Sequence, residues 1–377
     1  MIPLAVPHLA GNEARYLREC VDTNFVSSVG PFVDRLETLV AECSGAAHAV
    51  ATSSGTAGLH AALLAAGVSP GELVVVPAFT FIATANAVSH CGAVPWLLDI
   101  TETDWTLDPE QLAGVFERET RRDGGSLVHV ASGRRVAAVL PVHTLGAPAD
   151  MDPILELARA QRVPVVADAA AALGSLYRGR PPGALGADLS VFSFNGNKTV
   201  TAGGGGAVVG ADAALCDRVR HLTTTGRSGT DYTHDVVAFN SRMTNLQAAV
   251  GCAQLEQLDV LVAAKRRIAR RYDEALADAP GVRLFPRAPW ARSACWMSGV
   301  RVGGVPELVA RLGERGVGAR SFWKPIHLQP PYREAPRAPL PVSEAVWAEV
   351  LTLPCSAGLV SEDQETVIEA VRGCLAR

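Results

Sequence analysis

The chain has 377 residues, of which 48% are hydrophobic and 19% are charged, and its formal net charge is −4. This length exceeds the size at which a single hydrophobic core usually divides, so we expect two domains. The slight negative charge argues against a nucleic-acid-binding surface. No apolar run approaches the ~20 residues that span a bilayer. The N-terminal residues lack a basic start followed by a long apolar region, so no signal peptide is expected. We therefore expect a cytoplasmic protein with neither nucleic-acid nor membrane partners.

Eight cysteines are scattered along the chain, and no two of them form a C-x-x-C pair. This distribution suits buried thiols in a reducing cytosol. It argues against a disulfide framework and against a zinc site, so no metal is expected.

The N-terminal part of the chain predicts two helices and then a strand–turn–helix unit. The helices cover residues 12–23 and 34–43, and the loop between them is interpreted as a connector. A strand then leads through Thr52–Thr56 into an alanine-rich helix. Ser and Thr at a helix start satisfy free N–H groups, and the same groups can hold a phosphate. The turn with Gly55 and Thr56 is therefore either a plain helix cap or a phosphate site.

Strands and helices then alternate up to Asp168, which is typical of βαβ units and a mostly parallel sheet. Ligands collect at the carboxyl ends of such strands. Phe81, Asp168 and Ser193 each lie at or just past a strand end. Asp168 directly follows an apolar strand, so its carboxylate either belongs to a polar site or caps the next segment. Polar residues 121–135 interrupt the alternation and are interpreted as a solvated loop.

Lys198 has mainly apolar residues and glycines as sequence neighbours, in the stretch VFSFNGNKTVTAGGGGAVV. Removing an ammonium group from water lowers its pKa and makes lysine nucleophilic near neutral pH, as a Schiff-base lysine must be. This stretch alone is also compatible with a lysine at a strand end whose side chain reaches solvent. Glycines 203–206 precede a strand and not a helix, so they do not form a dinucleotide-binding fingerprint.

The last third of the chain predicts a long helix followed by a smaller domain. Residues 243–277 are helical, and the basic face that begins at Lys265 is expected to be solvated. We divide the chain into a large domain with an N-terminal helical arm (1–245), a linking helix (246–280) and a small domain (281–377). His327, taken alone, is interpreted as a surface or loop histidine.

Together the candidate residues fit the chemistry of pyridoxal 5′-phosphate. This cofactor needs a phosphate site, an aromatic plate, an acid beside the pyridine nitrogen and a lysine. With the acid in place the ring draws electrons from a carbanion, and the freed lysine can carry the proton. The chain offers these groups in Gly55, Thr56, Phe81, Asp168, Ser193 and Lys198.

Over nearly its whole length the chain resembles the DegT/DnrJ/EryC1/StrS family of sugar aminotransferases. The order and spacing of eight segments make the resemblance specific: NFVSSVGPFVDRLE, SSGTAGLHAAL, PAFTFIATANAV, PADMDPI, VVADAAAALGS, FSFNGNK, FNSRMTNLQAAVG and WKPIHLQPPY. The forms FNGNK and WKPIHLQP are most similar to the branch that acts on nucleotide-linked 4-keto-6-deoxy sugars. The resemblance implies an α/β fold of the fold type I aminotransferases, with a mostly parallel seven-stranded sheet and a small C-terminal α+β domain.

Matching positions imply how the cofactor would be held. Lys198 would form the Schiff base, Asp168 would meet the pyridine nitrogen, and Phe81 would stack on the ring. The phosphate would be held by Gly55, Thr56 and Ser193.

The resemblance also implies partner and substrate contacts. Asn240 would reach the phosphate in the second subunit, so a homodimer with shared active sites is expected. Lys324 and His327 match the segment that shapes the nucleotide-sugar pocket. Two positions depart from the family pattern, since Ala171 replaces a Gln, His or Glu and Ser241 replaces an aromatic residue. Both departures remove bulk, from which we expect a pocket enlarged for a bulkier or unusual sugar.

The leading hypothesis is an aminotransferase that moves an amino group from an amino acid to a keto group of a nucleotide-activated sugar, in ping-pong order. L-Glutamate is the expected donor. Alternative hypotheses are amination of a free keto-cyclitol or keto-sugar, a sugar dehydratase, and a non-catalytic regulator. Related dehydratases carry histidine at the position of Lys198, so the lysine counts against that hypothesis. A regulator would have no use for the lysine, the acid and the phosphate site together.

Overall fold

A computed structural model describes residues 1–376. Within that range the α-helices are α1 (Glu13–Asp22), α2 (Pro31–Ser44), α3 (Gly55–Ala65), α4 (Ile82–His90), α5 (Pro109–Glu119), α6 (Met151–Ala160), α7 (Ala213–Thr223), α8 (Asn245–Leu255), α9 (Leu258–Leu276), α10 (Val305–Glu314), α11 (Pro341–Glu349) and α12 (Ser361–Leu375). The strands are β1 (His48–Thr52), β2 (Leu73–Pro77), β3 (Val94–Leu98), β4 (Thr120–Asp123), β5 (Ser126–His129), β6 (Val136–Val139), β7 (Val166–Asp168), β8 (Leu176–Tyr177), β9 (Leu189–Ser193), β10 (Gly206–Gly210), β11 (Arg227–Ser228), β12 (Thr233–His234), β13 (Arg283–Leu284), β14 (Ala291–Arg292), β15 (Ser298–Arg301), β16 (Arg320–Ser321) and β17 (Val350–Leu353).

Seven strands make the central sheet, in the order β1-β10-β9-β7-β6-β2-β3. The β9–β7, β6–β2 and β2–β3 pairs are parallel. Parallel bridges between Val139 and Val165 and between Val142 and Asp168 join β6 to β7. Strand β10 runs antiparallel to both of its neighbours. The α/β class with a mostly parallel seven-stranded sheet, expected from the sequence, is confirmed.

The hydrophobic pattern explains why helices cover the sheet. Strand β2 is apolar throughout and buried at every position, as expected for a parallel strand covered on both faces. Helix α6 turns Met151, Ile154, Leu155 and Ala158 into the core, which is the spacing of a single helix face.

A second sheet occupies the C-terminal region, with the antiparallel order β13-β15-β17-β16. Its core combines residues of α9, α10 and α12 with those of the strands. Ile2 forms a bridge with Val317 and packs against the same core. The first residues of the chain therefore pack with the C-terminal sheet, although the sequence places them in the large domain.

Residues 121–135 are not only the solvated loop that their polarity predicts. Strands β4 and β5 pair there as an antiparallel hairpin. Gly124 and Gly125 form its turn with φ values of 53° and 86°. Two successive residues with positive φ match the twist of a two-residue hairpin turn, which explains why glycine stands at both positions.

The helical region predicted over residues 243–277 consists of two helices, α8 and α9, separated at Glu256 and Gln257. Lys265 on α9 is only 3% exposed, so the expectation that it belongs to a solvated face is wrong for this residue. Its Nζ donates hydrogen bonds to the backbone oxygens of Trp296 and Cys355, which compensate for the loss of water. None of the helices within residues 1–376 has the length and apolar character that a membrane crossing requires.

Candidate active site

A cavity of about 550 Å³ lies at the carboxyl ends of β1, β7 and β9. It is the size of a typical small-molecule site. Its wall contains every residue that the sequence predicts for cofactor binding within one chain, namely Gly55, Thr56, Phe81, Asp168, Ser193 and Lys198. Asn240, Lys324 and His327 lie outside this wall.

The N-terminus of α3 forms one end of the cavity. Ser54 caps this helix, because its Oγ accepts a hydrogen bond from the N–H of Ala57 at 3.0 Å. One cap leaves other N–H groups of the first turn available for an anion. A Cβ at position 55 would lie 2.9 Å from the Cβ of Ser193, so glycine lets the helix start directly against the end of β9. The turn can thus serve as both a helix cap and an anion site.

Asp168 ends β7 and is 5% exposed. Its Oδ2 accepts a hydrogen bond from Thr84 Oγ1 at 2.7 Å, and its Oδ1 accepts one from the N–H of Ala170 at 3.1 Å. Burial raises the pKa of this carboxyl, while both hydrogen bonds and the charge of Lys198 act in the opposite direction. The two hydrogen bonds hold the carboxylate in one orientation at the cavity wall.

Lys198 projects from the turn after β9 into the cavity. Its Nζ lies 3.7 Å from the centroid of the Trp296 ring. Burial lowers the pKa of this amine to about 8, and the negative charge of Asp168 partly opposes the shift. A substantial fraction of the amine is therefore neutral close to physiological pH, as a nucleophilic lysine requires.

Aromatic side chains form a further part of the wall. Phe81, just before α4, is 55% exposed, and its ring centroid lies 6.4 Å from that of Trp323. Phe322 and Trp323 stack with a centroid distance of 4.5 Å, and Trp323 lies 5.9 Å from Trp296. These rings offer flat apolar surfaces to a ligand.

The charged residues of the wall favour an anionic ligand. Among the residues that line the cavity within the described chain, Asp168 is the sole carboxylate, whereas Lys198 and Arg320 are cationic. Arg320 lies on β16 and is exposed. A guanidinium group is suited to phosphate and carboxylate oxygens.

The three remaining predicted residues have different surroundings. Asn240 is exposed, and its backbone forms a bridge with Thr224. Lys324 is also exposed. His327 is 6% exposed and its Nε2 lies 2.9 Å from Glu344 Oε1. The sequence taken alone predicts a surface or loop histidine, and the surface alternative is wrong. The substrate-binding roles of Lys324 and His327 remain predictions.

The two departures from the family pattern differ in position. Ala171 lines the cavity, so its small side chain leaves space there. Ser241 lies outside the cavity of its own chain, and its backbone oxygen accepts a hydrogen bond from the N–H of Ser53 at 2.8 Å.

Sequence reasoning missed Trp296, Arg320 and His143 on the cavity wall. His143 follows β6 just as Asp168 ends β7, so its strand-end position was an available signal. Its Nδ1 accepts a hydrogen bond from the N–H of Ala149 at 3.2 Å, and burial lowers its pKa to about 4. Trp296 and Arg320 belong to the C-terminal region, and no local pattern points to a cavity formed mainly by the first 205 residues.

The chain is similar to known proteins over nearly its whole length. Residues 7–372 match the model of the DegT/DnrJ/EryC1/StrS aminotransferase family. The chain is 39% identical over 377 residues to GDP-perosamine synthase of Caulobacter vibrioides, covering 98% of this chain and 97% of that protein. It is 37% identical over 347 residues to the erythromycin biosynthesis sensory transduction protein EryC1 of Saccharopolyspora erythraea, covering 91% and 90% of the two chains.

A solved structure supports the same relationship. The crystal structure of DesV from S. venezuelae superposes with a TM-score of 0.87 at 34% sequence identity, covering 97% of this chain and 95% of that one. Both the sequence and the architecture are thus shared over nearly the full length described.

Proposed function

The chain belongs to the DegT/DnrJ/EryC1/StrS aminotransferase family, and on this premise we propose the substrates and residue roles of its reaction. It is a pyridoxal phosphate-dependent aminotransferase that transfers an amino group to a keto group of a nucleotide-linked sugar. We propose L-glutamate as the amino donor. We propose a GDP-linked keto-sugar as the acceptor, because the relative in Caulobacter vibrioides is named GDP-perosamine synthase.

One observation carries the proposed residue roles. A single cavity collects a helix N-terminus, a buried carboxylate, an exposed aromatic ring and a lysine with a lowered pKa. These groups come from distant parts of the chain, and their combination matches the needs of pyridoxal phosphate.

The residues present fit this cofactor. The close approach of Gly55 to Ser193, where a Cβ would lie 2.9 Å from the serine Cβ, leaves a shallow cradle at the start of α3 for a phosphate. Asp168 offers a buried carboxylate to a protonated ring nitrogen, and the half-exposed Phe81 offers a face to the ring. We therefore propose that Gly55, Thr56 and Ser193 hold the phosphate and that Lys198 is the covalent anchor.

Bound pyridoxal phosphate supplies an electron-accepting ring that makes the C–H bond beside the amino group acidic. Asp168, oriented by Thr84 and Ala170, would place its carboxylate beside a protonated ring nitrogen. Lys198 takes up a proton at Nζ and returns it, a role that its pKa of about 8 permits near neutral pH.

Substrate recognition is proposed for the wall near β16. Arg320 supplies a positive charge for the donor carboxylate or the sugar-nucleotide phosphates. Lys324 follows Trp323 and is exposed, so we propose that it adds charge at the rim. His327 acts through Glu344 by holding this segment in place.

We further propose a homodimer in which Asn240 reaches the partner's site. Asn240 is exposed and outside its own cavity, and Tyr232 and Val237 nearby are 86% and 93% exposed. An apolar surface of this kind is typical of an interface. A co-expressed heterodimer of Lys198→Ala and Asn240→Ala chains should regain activity, because one of its sites has both residues intact. If Asn240 served its own chain, neither site would be restored.

We propose that the reaction takes place in the cytoplasm. All eight cysteines are free thiols, which suits a reducing compartment.

The decisive experiment combines a spectrum with a substrate screen. Wild type loaded with pyridoxal phosphate should show a visible absorbance band that L-glutamate bleaches, whereas Lys198→Ala should lack the normal band. GDP-linked and dTDP-linked keto-sugars are then added separately to the glutamate-treated enzyme. Return of the band with the GDP-linked substrate supports the proposed acceptor. A colourless protein that takes up no cofactor would overturn the proposal, and bleaching without any sugar response would restrict the failure to the acceptor.

A further inference from the structure

Trp296 contacts the segment of Lys198 in two different ways. The face of its ring lies 3.7 Å from Lys198 Nζ. Its indole Nε1–H donates a hydrogen bond to the backbone oxygen of Asn197 at 2.7 Å. One contact involves the amine and the other involves the turn that carries it.

The backbone of Trp296 is also held, by one hydrogen bond at each of its polar groups. The backbone N–H of Trp296 donates to the oxygen of Leu145 at 3.1 Å, and its backbone oxygen accepts from Lys265 Nζ at 3.1 Å. The side chain is 3% exposed and packs near Phe322 and Trp323. Trp296 is thus a rigid surface prepared before any ligand enters.

A ring face attracts an ammonium ion through its quadrupole, and the attraction grows where water is excluded. In the proposed reaction the amine of Lys198 would be free at two stages. The first is before the cofactor attaches, and the second is while the cofactor carries the amino group. A flexible side chain released into a cavity would otherwise sample many rotamers.

We propose that Trp296 is a positioning residue whose indole face holds the free amine of Lys198 and whose N–H fixes the turn beneath it. This inference rests on the proposed function, because only such a reaction releases the lysine in every cycle. The other charged or titratable side chains on the cavity wall are Asp168, His143 and Arg320, and all three are retained in the Trp296 variants.

The chain has lysines at positions 198, 265 and 324 only, which makes a direct test possible. Full-length apoprotein is prepared with lysine labelled with ¹³C at Cε, and the three signals are assigned with Lys198→Arg and Lys324→Arg variants. In wild type the Hε protons of Lys198 should be shifted upfield by the ring current of Trp296. Hε protons at the position of a free lysine in wild type would overturn the inference without any variant at Trp296.

Substitutions then separate the ring face from the N–H. In Trp296→Leu the upfield shift should disappear, and the titration midpoint of Lys198 should fall by about half a pH unit because the charged form loses the ring. Trp296→Phe, which keeps a ring face and lacks the N–H, should retain part of both effects. A merely structural role would leave the midpoint unchanged in the folded variants, and an unchanged midpoint in both would contradict the inference.

Adding pyridoxal phosphate to the same samples tests cofactor attachment to Lys198 separately from the positioning role of Trp296. Loss of the free-amine signal of Lys198 in wild type supports the proposed cofactor attachment. A Lys198 signal that does not respond to the cofactor would contradict the proposed function. The ring-current shift is measured without cofactor, so it tests the role of Trp296 independently.

Discussion

Lys198 and Lys265 contact the same tryptophan, yet their surroundings differ. Lys265 is 3% exposed and donates to the backbone oxygens of Trp296 at 3.1 Å and Cys355 at 2.6 Å. Lys198 Nζ meets the ring face of Trp296 within a cavity. Carbonyl oxygens replace the hydrogen bonds that an ammonium ion loses on leaving water, whereas a ring face replaces only part of them.

Under the proposed function, one fold thus contains a structural lysine, Lys265, and a reactive lysine, Lys198. Burial alone does not make an amine reactive, because Lys265 is the more buried of the two. A reactive lysine requires a lowered pKa together with open space for the molecule that it reacts with. Lys198 has both, since burial lowers its pKa to about 8 and it faces a cavity of about 550 Å³.

The largest expected effect concerns chemistry at the cavity. Lys198→Arg keeps a positive charge but cannot act as a nucleophile or proton carrier, because a guanidinium group stays protonated. We expect transamination to fall by about 10⁴-fold, as when a group central to proton transfer is removed. Initial rates with glutamate and a keto-sugar nucleotide measure this, with circular dichroism as the check on folding. A folded variant with more than a few per cent of the activity would remove the distinction between the two lysines.

The second effect concerns stability. Lys265→Met leaves the oxygens of Trp296 and Cys355 buried without their donor, so we expect the free energy of unfolding to fall by about 2–4 kcal/mol. Urea denaturation measures the change. Lys324→Met is the matched control, because Lys324 is exposed and its loss should change stability by less than about 0.5 kcal/mol. Equal effects at both positions would mean that the carbonyl contacts of Lys265 contribute little.

A third effect, comparable in size with that of Lys265→Met, is a pH dependence of stability in the apoprotein. The pKa of Lys198 is lowered from 10.5 to about 8, so between these pH values the unfolded chain binds a proton that the folded chain does not. Stability therefore rises with pH across this window, by about 1.4 kcal/mol per pH unit. Below pH 8 the folded state carries the full cost of the buried charge.

Lys198→Met removes the titrating amine and therefore removes this contribution to stability. The variant should be more stable than the wild-type apoprotein at pH 7, and its advantage should shrink as the pH rises from about 8 to 10.5. Urea titrations at several pH values test this. An advantage that does not vary with pH would show that the amine titrates normally in the folded protein.

Much of the architecture could be predicted because its signals are local. Apolar strands alternating with helices predicted the parallel sheet, and α6 begins and ends where its hydrophobic period predicts, at Met151 and Ala160. The strand-end positions of Asp168 and Ser193 and the isolation of Lys198 pointed to one site, and the structure places all three on one cavity wall. Local signals failed at Lys265. The basic helix face predicted that this side chain would be solvated, but α9 packs against the C-terminal sheet and Lys265 is buried.

By itself, the sequence determined the alternation of strands and helices up to Asp168, the cap at the start of α3 and the residues that chemistry requires, because these depend on neighbours along the chain. Only the tertiary structure decided that Trp296 lies against Lys198, that Gly55 meets Ser193, and that Asn240 lies outside the cavity of its own chain. Each of these contacts joins or separates segments that are distant in sequence. Their geometry depends on how whole layers pack, which no local pattern of residues encodes.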